Sequence, residues 1–262
     1  MSEPFLVTID GQEFTGQPGQ TIMEIARDNG INIPSLCDSP QLDSFGSCRM
    51  CVVEIDGRRG TPSSCTTPAD NGMVVSTTSD KLWRLRKGIT ELYVSEHPLD
   101  CLTCTANGDC ELQDVAADVG LRELRYDNEP ACQSIPIDES NPFFTFDASK
   151  CIVCSRCVRA CDDTQATHAL SIDGRGFSSR IIAGVDELFM DSDCVSCGAC
   201  VNECPVGALE DRVERSAGTP DKWVRTTCAF CGVGCQFDAG IKGGKLVTMI
   251  PAADSPVNQG HA

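Results

Sequence analysis

The sequence predicts an α+β chain assembled from several small modules held together by metal ligands, and three observations carry that expectation. Its 262 residues include only 10 Phe, 2 Tyr and 2 Trp against 23 Gly and 14 Pro, too few large apolar side chains for one large core. The 19 cysteines fall mostly at two-residue spacings, which suits ligation better than disulfides. A cysteine run at 151–161 recurs at 194–204, so part of the chain is an internal duplication.

Taken in order, residues 5–9 (FLVTI), the Asp10-Gly11 turn and the extended stretch through Thr15 predict a hairpin. A helix follows: Thr21 and Glu24 form a capping box, Ile22, Ile25 and Ala26 share a face, and Gly30 suits the left-handed position after the last turn. Beyond a cysteine-bearing loop, 51–55 (CVVEI) and 73–77 (MVVST) predict two more strands, with Asp56-Gly57 as a turn. From Asp80 the period becomes helical, with Leu82, Leu85, Ile89, Leu92 and Tyr93 on one stripe and Pro98 beyond the end. Residues 111–119 predict a second helix closed by Gly120, and the proline-containing stretch 130–142 a linker. ALSIDGRGFSSRII, between the two cysteine runs, reads as a hairpin around Asp173-Gly174. GIKGG reads as a β-turn, since no strand–glycine loop–helix order surrounds it. The basic stretch Arg84, Arg86 and Lys87 reads as a solvated helix face.

Charge and compartment narrow the function. The formal net charge is −17, which opposes a phosphate backbone or an anionic membrane surface and predicts no nucleic-acid partner. The N-terminus has no basic-then-apolar leader and no stretch approaches 18 apolar residues, so a cytoplasmic chain without membrane insertion is expected. A reducing cytoplasm favours thiolate ligands over disulfides. No HExxH run, phosphate loop or Ser–His–Asp constellation supports a hydrolase or NTPase.

Five ligand sets account for all cysteines but Cys132, which reads as a free thiol. Cys37-x10-Cys48-x2-Cys51-x13-Cys65 brings three thiols beside one loop, with glycine and small residues (Phe45-Gly46-Ser47) that let backbone amides approach sulfur. Structural zinc is the rival, but tetrahedral zinc usually takes two closely spaced pairs. His97-x3-Cys101-x2-Cys104-x5-Cys110 combines an imidazole with three thiols. Cys151-x2-Cys154-x2-Cys157-x3-Cys161 and Cys194-x2-Cys197-x2-Cys200-x3-Cys204-Pro205 each match the bacterial [4Fe–4S] run, with Asp162 where the first would usually carry Pro. Cys228-x2-Cys231-x3-Cys235 is a further set. His168 and His261 read as structural.

The first set resembles the [2Fe–2S] site of a β-grasp ferredoxin domain at the head of the large iron–sulfur subunit of respiratory complex I. The second resembles the histidine-ligated [4Fe–4S] site of complex I and iron-only hydrogenases. The paired runs resemble a bacterial two-cluster ferredoxin, in which the fourth cysteine serves the other cluster. The resemblance therefore implies one site of Cys151, Cys154, Cys157 and Cys204 and another of Cys194, Cys197, Cys200 and Cys161. TTCAFCGVGC resembles the start of the molybdopterin oxidoreductases, most closely formate dehydrogenases, where a fourth cysteine follows about thirty residues on. A chain ending at Ala262 leaves that [4Fe–4S] set incomplete, so a truncated or split polypeptide is expected.

The expected modules are 1–79 (β-grasp [2Fe–2S] domain), 80–138 (histidine-ligated [4Fe–4S] helical module), 139–216 (2×[4Fe–4S] ferredoxin-like domain) and 217–262 (start of a molybdopterin-oxidoreductase [4Fe–4S] domain). Their order is similar to the N-terminal part of the alpha subunit of soluble NAD-dependent formate dehydrogenases. That resemblance implies a molybdenum or tungsten bis-pterin on a downstream molybdopterin domain, and FMN and NAD on a partner diaphorase subunit with its small iron–sulfur subunit. It implies no catalytic residue within these 262 positions. The alternative is the iron–sulfur subunit of an NAD-linked hydrogenase or of a complex I-like NADH dehydrogenase.

Overall fold

The computed structural model describes residues 3–127 and 134–261, in two compact units. Cys132 and part of the expected 130–142 linker lie outside the described residues.

The first unit comprises residues 1–38, 44–95 and 111–127. Its sheet contains β1 (Phe5–Ile9), β2 (Gln12–Gly16), β3 (Glu54–Ile55) and β4 (Met73–Ser76) in the order β2-β1-β4-β3, with β1 and β4 parallel. Alternation along β1 and β4 points Val7, Ile9, Met73 and Val75 at α1 (Ile22–Asp28), whose Ile22, Ile25 and Ala26 are buried. The capping box forms: Thr21 Oγ1 accepts from the Glu24 amide and the Glu24 carboxylate accepts from the Thr21 amide. Gly30 takes φ +73°, a conformation cheap only without a Cβ. Residues 51–53 do not join the sheet. Val52 bridges Ser63 and the Val53 amide donates to Pro62 O at 3.0 Å, so the cysteine loop captures this segment's hydrogen bonds and only β3 reaches β4.

The helix α2 (Asp80–Ser95) forms as expected, but its buried side differs from the expected stripe. Leu82 is buried, whereas Leu85 and Leu92 are 39% and 47% exposed and Arg86, Thr90, Glu91 and Ser95 are buried instead. The cause is the irregular loop around Cys51, where the Met50 and Val52 carbonyls take a side-chain donor. Arg86 Nε donates to Met50 O at 3.1 Å and Nη2 to Val52 O at 2.7 Å. Glu91 accepts from Arg125 Nε at 2.7 Å, beyond the second helix α3 (Glu111–Asp118), which Gly120 closes at φ +61°. Arg86 is thus a buried donor, not part of a solvated face.

The second unit comprises residues 39–43, 96–110 and 128–262. Strand β5 (Phe144–Phe146) pairs antiparallel with β8 (Leu209–Asp211), joining the start of one cysteine run to the end of the other. Each run ends in a four-residue helix, α4 (Arg156–Arg159) and α5 (Ala199–Asn202). They leave those helices differently. The chain continues from α4 into a π-turn through Ala160–Thr164, closed by the Gln165 amide on Ala160 O at 3.1 Å, whereas Pro205 follows directly after Cys204. Between the runs, β6 (Leu170–Asp173) and β7 (Arg180–Ala183) form the expected hairpin. Asp211 caps α6 (Arg212–Ala217), and β9 (Lys222–Thr227), β10 (Gln236–Lys242) and β11 (Lys245–Pro251) form a meander, with Gly243-Gly244 as the turn. No helix among the described residues is long and apolar enough to cross a membrane.

Candidate iron–sulfur sites

No disulfide links any of the described cysteines. Among the described residues, no three His, Cys, Asp or Glu side chains close on a single metal-ion position.

In the first unit Cys37, Cys48, Cys51 and Cys65 are all buried, at 2% exposure or less. Left-handed Gly46 (φ +72°) and Arg49 (φ +59°) turn the loop on either side of Cys48, and a 3₁₀ turn at Ser64–Thr66 carries Cys65 to 3.4 Å from Cys51 Sγ. Backbone amides point at sulfur: Leu36 N–H donates to Cys48 Sγ and Cys48 N–H to Cys37 Sγ, both at 3.4 Å. The thiols share protons. Contact with the Cys48 sulfur pulls Cys37 down to about 5, and contact with the Cys65 sulfur pulls Cys51 to about 7, while Cys48 and Cys65 rise. Four buried sulfurs, two of them readily ionised and met by amide donors, suit a thiolate-ligated cluster.

In the second unit, Cys101 opens a 3₁₀ turn and the Cys104 amide closes onto Cys101 O at 3.2 Å. Gly207 packs against this loop, where an added Cβ would stand 3.3 Å from Cys104 Sγ and 3.1 Å from the Ala106 methyl. His97 is buried, and burial pushes its imidazole below the ordinary value, so it is neutral, the form that ligates metal. It also hydrogen-bonds the Lys150 backbone, the kind of outer contact that fixes a ligating imidazole's orientation.

The duplicated runs share a backbone device. Val153 (φ +50°) and Ser155 (φ +67°) in the first correspond to Ser196 (φ +57°) and Gly198 (φ +79°) in the second. A β-branched residue at positive φ is strained. The left-handed turns bring amides onto sulfur, with Val153 N–H on Cys151 Sγ at 3.3 Å and Ser196 N–H on Cys194 Sγ at 3.4 Å. Asn141, fully buried, holds the second loop by donating to Ser196 Oγ at 2.8 Å. Cys161, Cys194, Cys197 and Cys200 line one cavity whose apolar wall includes Phe144, Leu170 and Phe189. Cys161 Sγ also accepts from the Ala169 amide at 3.2 Å. Cys157 has Cys151, Cys154, Cys200 and Cys204 as its charged-state neighbours, so the two runs interleave. Burial raises Cys157, Cys194, Cys200 and Cys204, which keeps them protonated until a cation compensates the thiolate.

The last set sits where β9 passes to β10. The Cys228 amide donates to Cys235 O at 2.8 Å, so the hairpin brings this pair together, and Cys231 lies exposed at the tip beside Phe230. His168 meets Asp162 at 3.0 Å. Reading by residue type missed Arg86, Asn141 and the buried Arg156 and Arg159. A basic residue between two ligand cysteines is the signal that could have singled out Arg156 and Arg159.

Four family descriptions match along the chain: a 2Fe-2S iron–sulfur cluster binding domain over residues 2–80, an NADH-ubiquinone oxidoreductase-G iron–sulfur binding region over 86–125, a 4Fe-4S dicluster domain over 150–208 and a molybdopterin oxidoreductase Fe4S4 domain over 221–262. A crystal structure of an NAD⁺-reducing [NiFe]-hydrogenase in its H₂-reduced state superposes with a TM-score of 0.73 at 35% identity, covering 82% of this chain and 88% of that one. The chain belongs to the family of iron–sulfur subunits of NAD(P)-linked oxidoreductases. The chain is 35% identical over 259 residues to the NADPH-Fe(3+) oxidoreductase subunit alpha of Geobacter sulfurreducens, covering 97% of this chain and 30% of that protein. It is 29% identical over 301 residues to a provisionally named formate dehydrogenase of Staphylococcus haemolyticus, covering 99% and 30%. The chain thus spans about a third of the length of these curated relatives.

Proposed function

We propose that this chain is the electron-transfer portion of a formate dehydrogenase alpha subunit, carrying electrons between a molybdenum or tungsten bis-pterin site and a flavin subunit that reduces NAD. The observation that carries the reading is the order of the matched regions: the oxidoreductase-G region and dicluster are followed by a molybdopterin oxidoreductase Fe4S4 match, beginning at 221. The ligands we assign are Cys37, Cys48, Cys51 and Cys65 for a [2Fe–2S] cluster; His97, Cys101, Cys104 and Cys110 for a [4Fe–4S] cluster; Cys151, Cys154, Cys157 and Cys204 for another; and Cys194, Cys197, Cys200 and Cys161 for a third. Cys228, Cys231 and Cys235 supply three ligands of a further [4Fe–4S] cluster. Its fourth ligand, the bis-pterin domain, and the FMN- and NAD-bearing diaphorase subunit with its small iron–sulfur subunit belong outside these residues.

The clusters supply one-electron transfer, with potentials set by ligand type, hydrogen bonds and exposure. The protein's own share is to exclude water from the sulfurs, as at Cys37, Cys51 and Cys65, and to aim amides at them, as at Cys48 and Cys151. No side chain here is assigned to formate. The test is to isolate the complex from its host and measure formate-dependent and H₂-dependent NAD reduction. Formate-dependent activity supports the proposal. H₂-dependent activity alone supports the second reading, a hydrogenase subunit, which the likeness to the NAD⁺-reducing hydrogenase favours.

A further inference from the structure

The two cysteine runs differ in what can hold their first amide–sulfur bond. In each, the residue two places after the first cysteine lies at positive φ and donates its amide back to that cysteine, Val153 to Cys151 Sγ at 3.3 Å and Ser196 to Cys194 Sγ at 3.4 Å. Val153 has an apolar side chain that can accept no hydrogen bond. Ser196 accepts through its Oγ from Asn141 Nδ2 at 2.8 Å. Asn141 is itself fixed. It is 1% exposed, its Oδ1 accepts from the Phe143 amide at 2.9 Å and its carbonyl accepts from Arg212 Nε at 2.8 Å. The residues before it are tied to the chain ahead of Cys194, with Asp138 Oδ2 accepting from the Phe189 amide at 2.8 Å and Ser140 Oγ from the Met190 amide at 3.2 Å. A serine at φ +57° is in a conformation that L side chains rarely adopt, and an anchored donor on its hydroxyl opposes relaxation out of it.

A reduced cluster carries one more negative charge than an oxidised one, and an amide aimed at a ligand sulfur stabilises that charge, which is why hydrogen bonds to the sulfurs help set the potential. We propose that Asn141 is a positioning residue for the site of Cys161, Cys194, Cys197 and Cys200: by clamping Ser196 Oγ it keeps the Ser196 amide on Cys194 Sγ and so holds that site's potential up. This rests on the ligand assignment above. The clamp acts on one member of the duplicated pair, because Val153 offers no acceptor at the equivalent place. Without it Ser196 relaxes toward negative φ in part of the population, its amide leaves the sulfur, and the reduced form of that one cluster loses a stabilising donor.

The test is redox titration of the full chain with its clusters reconstituted, followed by electron paramagnetic resonance, for the wild type, Asn141→Ala, Ser196→Ala, the two combined, and Ser196→Gly. Ser196→Ala removes the acceptor at a half-exposed position and keeps the amide. Asn141→Ala and Ser196→Ala are each expected to weaken one-electron reduction of the same single [4Fe–4S] signal about threefold or more, which is about 30 mV at about 59 mV per factor of ten, with the other [4Fe–4S] midpoints unmoved. The combined variant is expected to fall no further than either alone, since both changes cut one bond. Ser196→Gly cuts the same bond but reaches positive φ without a Cβ, so its midpoint is expected to fall less than that of Ser196→Ala. An unmoved midpoint in Ser196→Ala overturns the proposal, and does so even where Asn141→Ala fails to fold. Additive falls in the combined variant, a fall in Ser196→Gly as large as in Ser196→Ala, or equal falls at every [4Fe–4S] site overturn it as well. A wild-type chain that shows no [4Fe–4S] signals overturns the ligand assignment itself, a distinguishable failure.

Discussion

Replacing Arg86 by Met removes a buried cation that no sheet or helix pattern demands. The methionine keeps most of the aliphatic stem's packing but none of its donors. Two carbonyls, Met50 O and Val52 O, then lose their 3.1 and 2.7 Å bonds within a loop where Met50 and Val52 are buried. Leaving a buried acceptor unmet costs about 1–3 kcal/mol, so Arg86→Met is expected to destabilise the first unit by roughly 2–6 kcal/mol, a large fraction of an ordinary domain's stability. Hydrogen exchange in the intact chain reads this directly. Amides of β1 and β4 that exchange only on global opening should lose protection by about 30-fold or more, at about 1.4 kcal/mol per factor of ten. Arg86→Lys, with one compact donor group, should fall between. Protection changed less than about twofold in Arg86→Met would refute the claim that this guanidinium holds the Cys51 loop.

His97→Cys should retain the iron of its site but lower that cluster's midpoint, since a thiolate adds negative charge where the imidazole was neutral, whereas His97→Ala should lower the iron content by up to about four per chain. Iron analysis and potentiometry distinguish the two. Gly207→Val should broaden or abolish the same cluster's resonance signal, because even the first carbon of the side chain meets Cys104 Sγ at 3.3 Å, with the [2Fe–2S] signal unaffected. Burial raises the Glu214 carboxyl, beside Asp109, Asp211 and Glu210. Its folded pKa therefore lies above the unfolded one, so its contribution is fully present below about pH 4.3 and is lost as pH rises through the folded value. Glu214→Gln should match the wild type near pH 4 and be more stable near pH 7 by thermal denaturation at both.

Local chemistry made much of the fold legible. The Thr21–Glu24 capping box, the Asp10-Gly11 and Gly243-Gly244 turns and the Gly120 stop each depend on residues within a few positions, and each forms. The spacings on which the proposed ligand sets rest are likewise local. What the sequence did not disclose depends on distant partners. Periodicity places Leu85 and Leu92 inward because it registers hydrophobicity alone, but the Cys51 loop needs donors, and Arg86 is turned inward to meet it. The strand expected at 51–55 shrinks to two residues because Ser63 and Pro62 compete for its backbone groups. Asn141's hold on Ser196 spans 55 positions in sequence, and no local pattern announces it.

The most direct test of the central claim, that these thiols hold a series of iron–sulfur clusters, is iron and acid-labile sulfide per chain, measured with electron paramagnetic resonance of the dithionite-reduced protein. The account predicts at least about fourteen irons with matching sulfide and separate [2Fe–2S] and [4Fe–4S] signals, rising to about eighteen where the Cys228, Cys231 and Cys235 site is completed. Zinc without sulfide would contradict it.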